Sequence, residues 1–286
     1  MTRSSVLDRG VATPATATGS GSVPVARRWR LSTDRGTVNL RGVVANASLP
    51  LAILALWQVT TALGLFSIVQ LPPPAMVVDA AAELIDRGAL GQYAAISTQR
   101  VVAGFVAGAS LGLLLGAVTG LGRSWDRLLG PTLGGIRAVP ALAWVPLLIL
   151  WLKIGEESKV TLIAIGAFFP VYTTVSLALR HVDRHLVEAG RAFGLHGARL
   201  FTTVQLPAVL PSVISGLRLA LAQSWLFLVA AELIASSSGL GFLLVDSQNN
   251  GRVDRILLAI VLLALIGKTT DGAIGLFERW ASRRWT

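Results

Sequence analysis

Apolar residues in this chain come in runs of about twenty, close to the length that crosses a hydrocarbon core of roughly 30 Å. Residues 101–121 and 160–179 contain no charged side chain at all, unlike the helices of a large soluble protein. Six such runs are predicted as spans, over 43–66, 101–121, 133–152, 160–179, 213–235 and 256–277. Leu71-Pro72-Pro73-Pro74 stops any helix after the first, because proline lacks the amide hydrogen and clashes with the preceding turn. Residues 75–90 read as a short amphipathic helix outside the bilayer. The predicted fold is all-α and polytopic: six transmembrane helices, that outer helix and one long cytoplasmic loop.

Two spans carry unusual patterns. Gly104, Gly108, Gly112, Gly116 and Gly120 recur every four residues in the second. They share one helix face, where a neighbouring backbone can approach closely. The third span is interrupted by Pro140 and Pro146, which a membrane tolerates where the freed carbonyls face protein or a water-filled path.

Charge fixes an orientation. An even number of spans leaves both termini on one side. Arg-rich tails mark that side as cytoplasmic: Arg27, Arg28 and Arg30 before the first span, Arg279, Arg283 and Arg284 after the last. Residues 1–41 lack apolar periodicity and read as a flexible cytoplasmic basic tail, with 42–286 as the membrane domain. Asp8 and Asp34 fit poorly with an organelle transit peptide. The segment 181–210, with Arg184, Arg191 and Arg199, is then cytoplasmic as well. Only 14% of the residues are charged, against about 25% in soluble domains. The net charge of +10 therefore reflects membrane orientation and not nucleic-acid binding. With no cysteine, disulfides and thiol chemistry are excluded.

Residues 188–207 form the most informative stretch. They read as two short helices broken near Gly194, with Ala189, Ala192 and Phe193 on one face. A small apolar knob on a short helix suits insertion into a partner's groove. This stretch resembles the EAA loop of ATP-binding-cassette import permeases: Glu188-Ala189-Gly190, then Gly194, then Leu206-Pro207. Gly190 departs from the pattern, in which the third residue is alanine. The resemblance extends over about 44–284. It is carried by Pro140 to Trp151, by Ile154 to Lys159, by Phe168 to Pro170, by Gly216 to Arg218, by Ala231 to Ile234 and by Gly239 to Phe242. These look like the sulfonate, taurine and nitrate permease group. Ala95 to Thr98 with Arg100, and Phe277 to Trp280, are most similar to its aliphatic sulfonate branch.

The resemblance implies a permease in the bacterial inner membrane. It implies an ABC ATPase pair, a second permease chain (a homodimer) and an extracytoplasmic substrate-binding protein as partners. It also implies that Glu188, Ala189, Gly190, Ala192, Phe193, Gly194 and Leu195 dock on the ATPase. ATP is then hydrolysed by the partner, and this chain binds no cofactor of its own. The nearest thing to a phosphate-cradling loop is Gly267-Lys268-Thr269, and Leu262 stands where that loop needs glycine. Lys268 reads instead as a snorkelling side chain. His181, His185 and His196 lack the partners of a metal or acid–base site. For an anion path the candidates are Arg100, amides freed around Pro140 and Pro146, and Trp144 and Trp225. Arg137 and Arg218 read as snorkelling to the interface, and Glu232 as a local cap or partner. Taurine, nitrate or another small organic anion remain alternative substrates. A self-contained secondary transporter remains the alternative of a different class, although it would need a coupling-ion site or repeated halves.

Overall fold

The computed structural model describes residues 40–285, with side chains over 48–280 except 235. The basic tail expected over 1–41 therefore lies, up to residue 39, outside the described residues. A division of the chain falls between Leu49 and Pro50, and the helices that form the sites described below lie after it. Among the described residues the structure is helical throughout: α1 (Leu40–Ala62), α2 (Pro74–Asp86), α3 (Ala89–Leu121), α4 (Arg123–Ala138), α5 (Val145–Leu152), α6 (Glu156–Arg180), α7 (Arg184–Ala192), α8 (Gly197–Leu200), α9 (Leu206–Ala235), α10 (Leu240–Asn249) and α11 (Val253–Trp285). Four helices, α3, α6, the 197–234 stretch and α11, are long and apolar enough to span a membrane. A fifth candidate is α4 with the Ala141–Leu152 segment, bent by 87°.

The packing centre is α6, held between α3 and α9. The glycine stripe of α3 lies on α6, as its spacing predicts. A Cβ on Gly112 would stand 2.8 Å from the Phe168 carbonyl oxygen, and one on Gly116 2.9 Å from Val175 Cβ. At Gly108 it would overlap the Ala164 carbonyl. The facing residues Ile163, Ala167, Val171, Val175 and Leu179 are all buried. On the other side of α3, Val102, Val106 and Leu114 are exposed, as an apolar solvent requires.

Several boundaries depart from the apolar runs. Helix α3 begins twelve residues before Val101; just ahead of the apolar run it carries Ser97 and Arg100, polar groups that pair within the protein. Helix α2 ends at Asp86, and Gly88 turns the chain at φ 68°. Val77, Ala80 and Leu84 of α2 pack on Leu243, Leu258 and Ala259 of α10 and α11. Helix α10 lies between the fifth and sixth predicted spans, where the apolar runs gave no element. The bend in the third run occurs at Pro140: Val139 and Pro140 leave the helix at ψ 124° and 125°. Pro146, by contrast, sits in the first turn of α5, where a missing amide hydrogen costs nothing.

Glu83 of α2 ties this corner together. It accepts from Arg255 (2.9 Å) and Arg252 (3.1 Å). Those bonds, Arg255's first, hold its carboxyl below the ordinary 4.5. The pairing is therefore complete above that value and is lost as pH falls through the lowered one.

Candidate functional site

The loop between α6 and α9 is built to present one face. Asp183 caps α7 by accepting from the His185 amide at 2.9 Å. At the other end Gly194 adopts φ 79°. Its amide bonds the Arg191 carbonyl (2.9 Å), and the Leu195 amide bonds the Gly190 carbonyl (3.0 Å). This is a Schellman termination, which needs the left-handed residue that glycine supplies. Gly190 faces inward, and a Cβ there would stand 2.7 Å from Leu200 Cδ1. Its departure from alanine thus lets α7 sit close against α8. Glu188, Ala189, Ala192 and Gly194 are exposed, and Phe193 is 87% exposed. Leu195 is half-buried. Immediately after α8, residues 201–205 form a π-helical turn leading into α9.

At the opposite end of the bundle lies a buried ionic cluster. Arg100 of α3 is 3% exposed. Its Nε and Nη2 donate to the two oxygens of Glu156, each at 2.6 Å. Its Nη1 donates to Glu232 Oε1 and to the Ser238 carbonyl, also at 2.6 Å. Glu232 in turn accepts from Ser97 Oγ (2.8 Å) and from the Gly241 amide (2.7 Å). Ser97 Oγ accepts from the Leu240 amide. The first amides of α10 are thereby capped by side chains of α3 and α9. The cluster joins α3, α6, α9 and α10 at one point. Four separate sequence segments, around Arg100, Glu156, Glu232 and Gly239, meet there.

The five substrate-path candidates do not form one site. Arg100 is enclosed in the ionic cluster, and an anion could bind its fork only by displacing a carboxylate. Trp225 is buried and donates to Thr270 Oγ1 of α11 at 3.0 Å. Pro140, Trp144 and Pro146 gather at the bend between α4 and α5. There Trp144 lines an apolar cavity of about 450 Å³ with Phe168 and Phe169. Arg218 does not simply reach outward. It makes a bidentate pair with Asp271 of α11 (2.9 Å each) and a further bond to Glu278 (3.2 Å). Glu232 does cap locally, through the Gly241 amide nine residues on, but its other partners, Arg100 and Ser97, lie 132 and 135 positions away.

This architecture, a glycine-packed helical bundle with an exposed short-helix loop between two spans, has known relatives. Residues 108–283 match the family described as binding-protein-dependent transport system inner membrane component. The chain belongs to this permease family. It is 43% identical over 85% of its length, and 92% of the relative's, to the protein named as aliphatic sulfonates transport permease SsuC of Escherichia coli (strain K12). It is 38% identical to the SsuC of Bacillus subtilis (strain 168), over 92% and 95% of the two chains. The taurine transport system permease TauC of Escherichia coli (strain K12) is 32% identical over 84% and 86%. Among solved structures, an inward-facing conformation of the MetNI methionine ABC transporter shares the fold. Its TM-score is 0.55 at 22% identity, covering 69% of this chain and 96% of that one. The permease is thus the membrane component of an ATP-binding-cassette importer, and its apolar helices are the spans of such a subunit.

Proposed function

We propose that this permease forms half of the path by which an importer takes in aliphatic sulfonates. A separate ATPase pair drives it, and an extracytoplasmic binding protein delivers substrate. The observation that carries the substrate reading is the identity to the SsuC proteins, 43% and 38%, against 32% to TauC. Two copies of the chain would complete the path. Helix α1 supplies the sixth crossing, with the loop end of the bundle and both termini in the cytoplasm. Reporter fusions at Thr33 and after Trp285 are expected to report cytoplasm, and either one outside overturns six crossings. ATP hydrolysis in this reading belongs to the separate ATPase, in keeping with Leu262 where a phosphate loop needs glycine.

In this reading Glu188, Ala189, Ala192, Phe193, Gly194 and Leu195 engage the ATPase. Gly190 lets α7 sit close enough to α8 to hold that surface. ATP-driven closure of the ATPase pair would move the loop and shift the spans between outward and inward states. Gly194→Val tests this. A Cβ at Gly194 meets nothing within 4 Å, so internal packing is not disturbed. Valine at φ 79° costs about 1–3 kcal/mol, enough to open the single Schellman turn. Membrane level is expected to stay normal while sulfonate uptake falls at least about tenfold. Gly194→Asn, which tolerates the left-handed region, should retain most uptake. Normal ATPase co-purification and normal uptake in Gly194→Val would remove this loop from coupling.

A further inference from the structure

A cavity of about 460 Å³ opens between α4 and α6 at the loop end of the bundle. It belongs neither to the coupling loop nor to the ionic cluster. Its wall carries Arg127 and Arg137 from α4 and Arg180 from α6, against one carboxylate, Asp126. Arg180 pairs with Asp126 and also donates to Ser176 Oγ at 2.9 Å. Arg137 spends one donor, from Nη1 to Thr173 Oγ1 at 3.0 Å. Arg127 makes no hydrogen bond or ion pair among the described residues. Two guanidinium groups therefore enter the cavity with donors to spare.

The rest of the wall suits an anion with a short apolar tail. Gly130 and Gly134, one turn apart on α4, keep the floor clear, and a Cβ on Gly134 would meet nothing within 4 Å. Leu133 of α4 and Leu177 of α6 add apolar surface to the lining. Leu133 also lines the apolar cavity beside Trp144, so a basic compartment adjoins an apolar one along the same α4–α6 face. A planar guanidinium fork matches a tetrahedral oxyanion through two parallel bonds. Exposed charges of this kind bind modestly, which suits a site that must let its ligand go.

We propose that this cavity holds the sulfonate head of the cargo on the cytoplasmic side before release. Arg127 and Arg137 bridge its oxygens, and the alkyl tail points towards Leu133. The proposal deepens the sulfonate-import reading and rests on it. The phosphate of an anionic lipid offers the same oxyanion chemistry, so the test separates the two sources.

The test uses the full complex of permease, ATPase pair and binding protein in proteoliposomes, with a labelled alkanesulfonate. Arg127→Gln/Arg137→Gln is expected to lower uptake about tenfold or more. ATP hydrolysis stimulated by loaded binding protein should persist, and Arg137→Lys should fall between. Arg127→Gln alone breaks no described contact, so a severalfold loss there, at normal membrane level, is not a folding defect and supports the site. Wild-type uptake should be equal in zwitterionic vesicles and in vesicles containing phosphatidylglycerol. Unchanged uptake in both Gln variants overturns the site while leaving sulfonate import intact. Uptake that needs phosphatidylglycerol, with that need abolished in the double variant, assigns the arginines to lipid and also overturns it. A wild-type complex that moves no sulfonate overturns the substrate reading, and the site with it.

Discussion

Gly108→Val is expected to abolish accumulation of folded permease. The added Cβ alone would overlap the Ala164 carbonyl and stand 2.9 Å from Ala167 Cβ. Backbone, unlike the tip of a flexible side chain, cannot swing aside. Helices α3 and α6 would have to separate along the interface that forms the packing centre of the bundle. Overpacking typically costs about 1–3 kcal/mol where side chains can adjust, so Gly108→Ala already falls in or above that range. Valine adds two methyl groups and exceeds what a marginally stable fold can absorb. The loss has no hydrophobic remedy, because lipid tails are as apolar as the helix surface. Val106→Ala, on the exposed face of the same helix, should leave both level and melting temperature near wild type. The measurement is the amount of permease in the membrane fraction and the thermal transition of the purified protein. A Gly108→Val permease that accumulates and melts like wild type would refute close packing at α3–α6.

Arg100→Leu is expected to be the second most damaging change. Its removal strands Glu232, whose side chain has no solvent exposure. Breaking a buried pair by deleting one partner costs about 3–5 kcal/mol. The bond to Glu156 contributes far less, because that side chain is 61% exposed. Such a pair is commonly worth about 0–1 kcal/mol. Glu156→Gln should cost less than Arg100→Leu, although it also removes the carboxylate that the buried Lys159 pairs with at 3.0 Å. The double change Arg100→Leu/Glu232→Leu should recover part of the loss, since no uncompensated charge remains. It will not recover all of it, because Glu232 also caps α10 through the Gly241 amide. A double-mutant cycle on thermal stability measures the coupling. Additive losses from Arg100→Leu and Glu232→Leu would contradict the pairing.

Much of this was legible in the sequence, for identifiable reasons. Five glycines at a spacing of four predict a close helix contact without any knowledge of the partner, and α6 proved to be that partner. Gly194 was readable because a short helix ending at glycine has few terminations open to it. Proline was legible at Pro140, where the helix breaks, yet the same residue type at Pro146 starts one. Position within the turn decides between these outcomes, and the sequence does not mark it. Helix ends were poorly legible because hydropathy reports where lipid lies, not where hydrogen bonding stops; α3 therefore begins well before its apolar run.

The charged residues were hardest to read, because their meaning depends on residues far away in the chain. Arg100 looked available to an anion, but its partners lie 56 and 132 positions away. Arg218 looked like a snorkelling residue for the same reason, with Asp271 and Glu278 on a different helix. Glu232 was legible as a cap only because a sulfonate path would avoid a carboxylate; its pairing with Arg100, 132 positions away, was not. No spacing rule pointed to α10, whose first amides depend on Ser97 and Glu232 in other helices. A segment of ten residues, Leu240–Asn249, apolar only up to Val245, carries too little pattern of its own.

The central claim is that this permease moves sulfonates only when a separate ATPase drives it. It is tested most directly by uptake of a labelled alkanesulfonate into proteoliposomes holding the purified permease. Uptake is followed with and without the ATPase, ATP and the binding protein. Accumulation is expected only when all three are present, with unlabelled alkanesulfonate competing better than taurine. Accumulation by the permease alone, or by the full complex for taurine but not for sulfonate, would contradict the account.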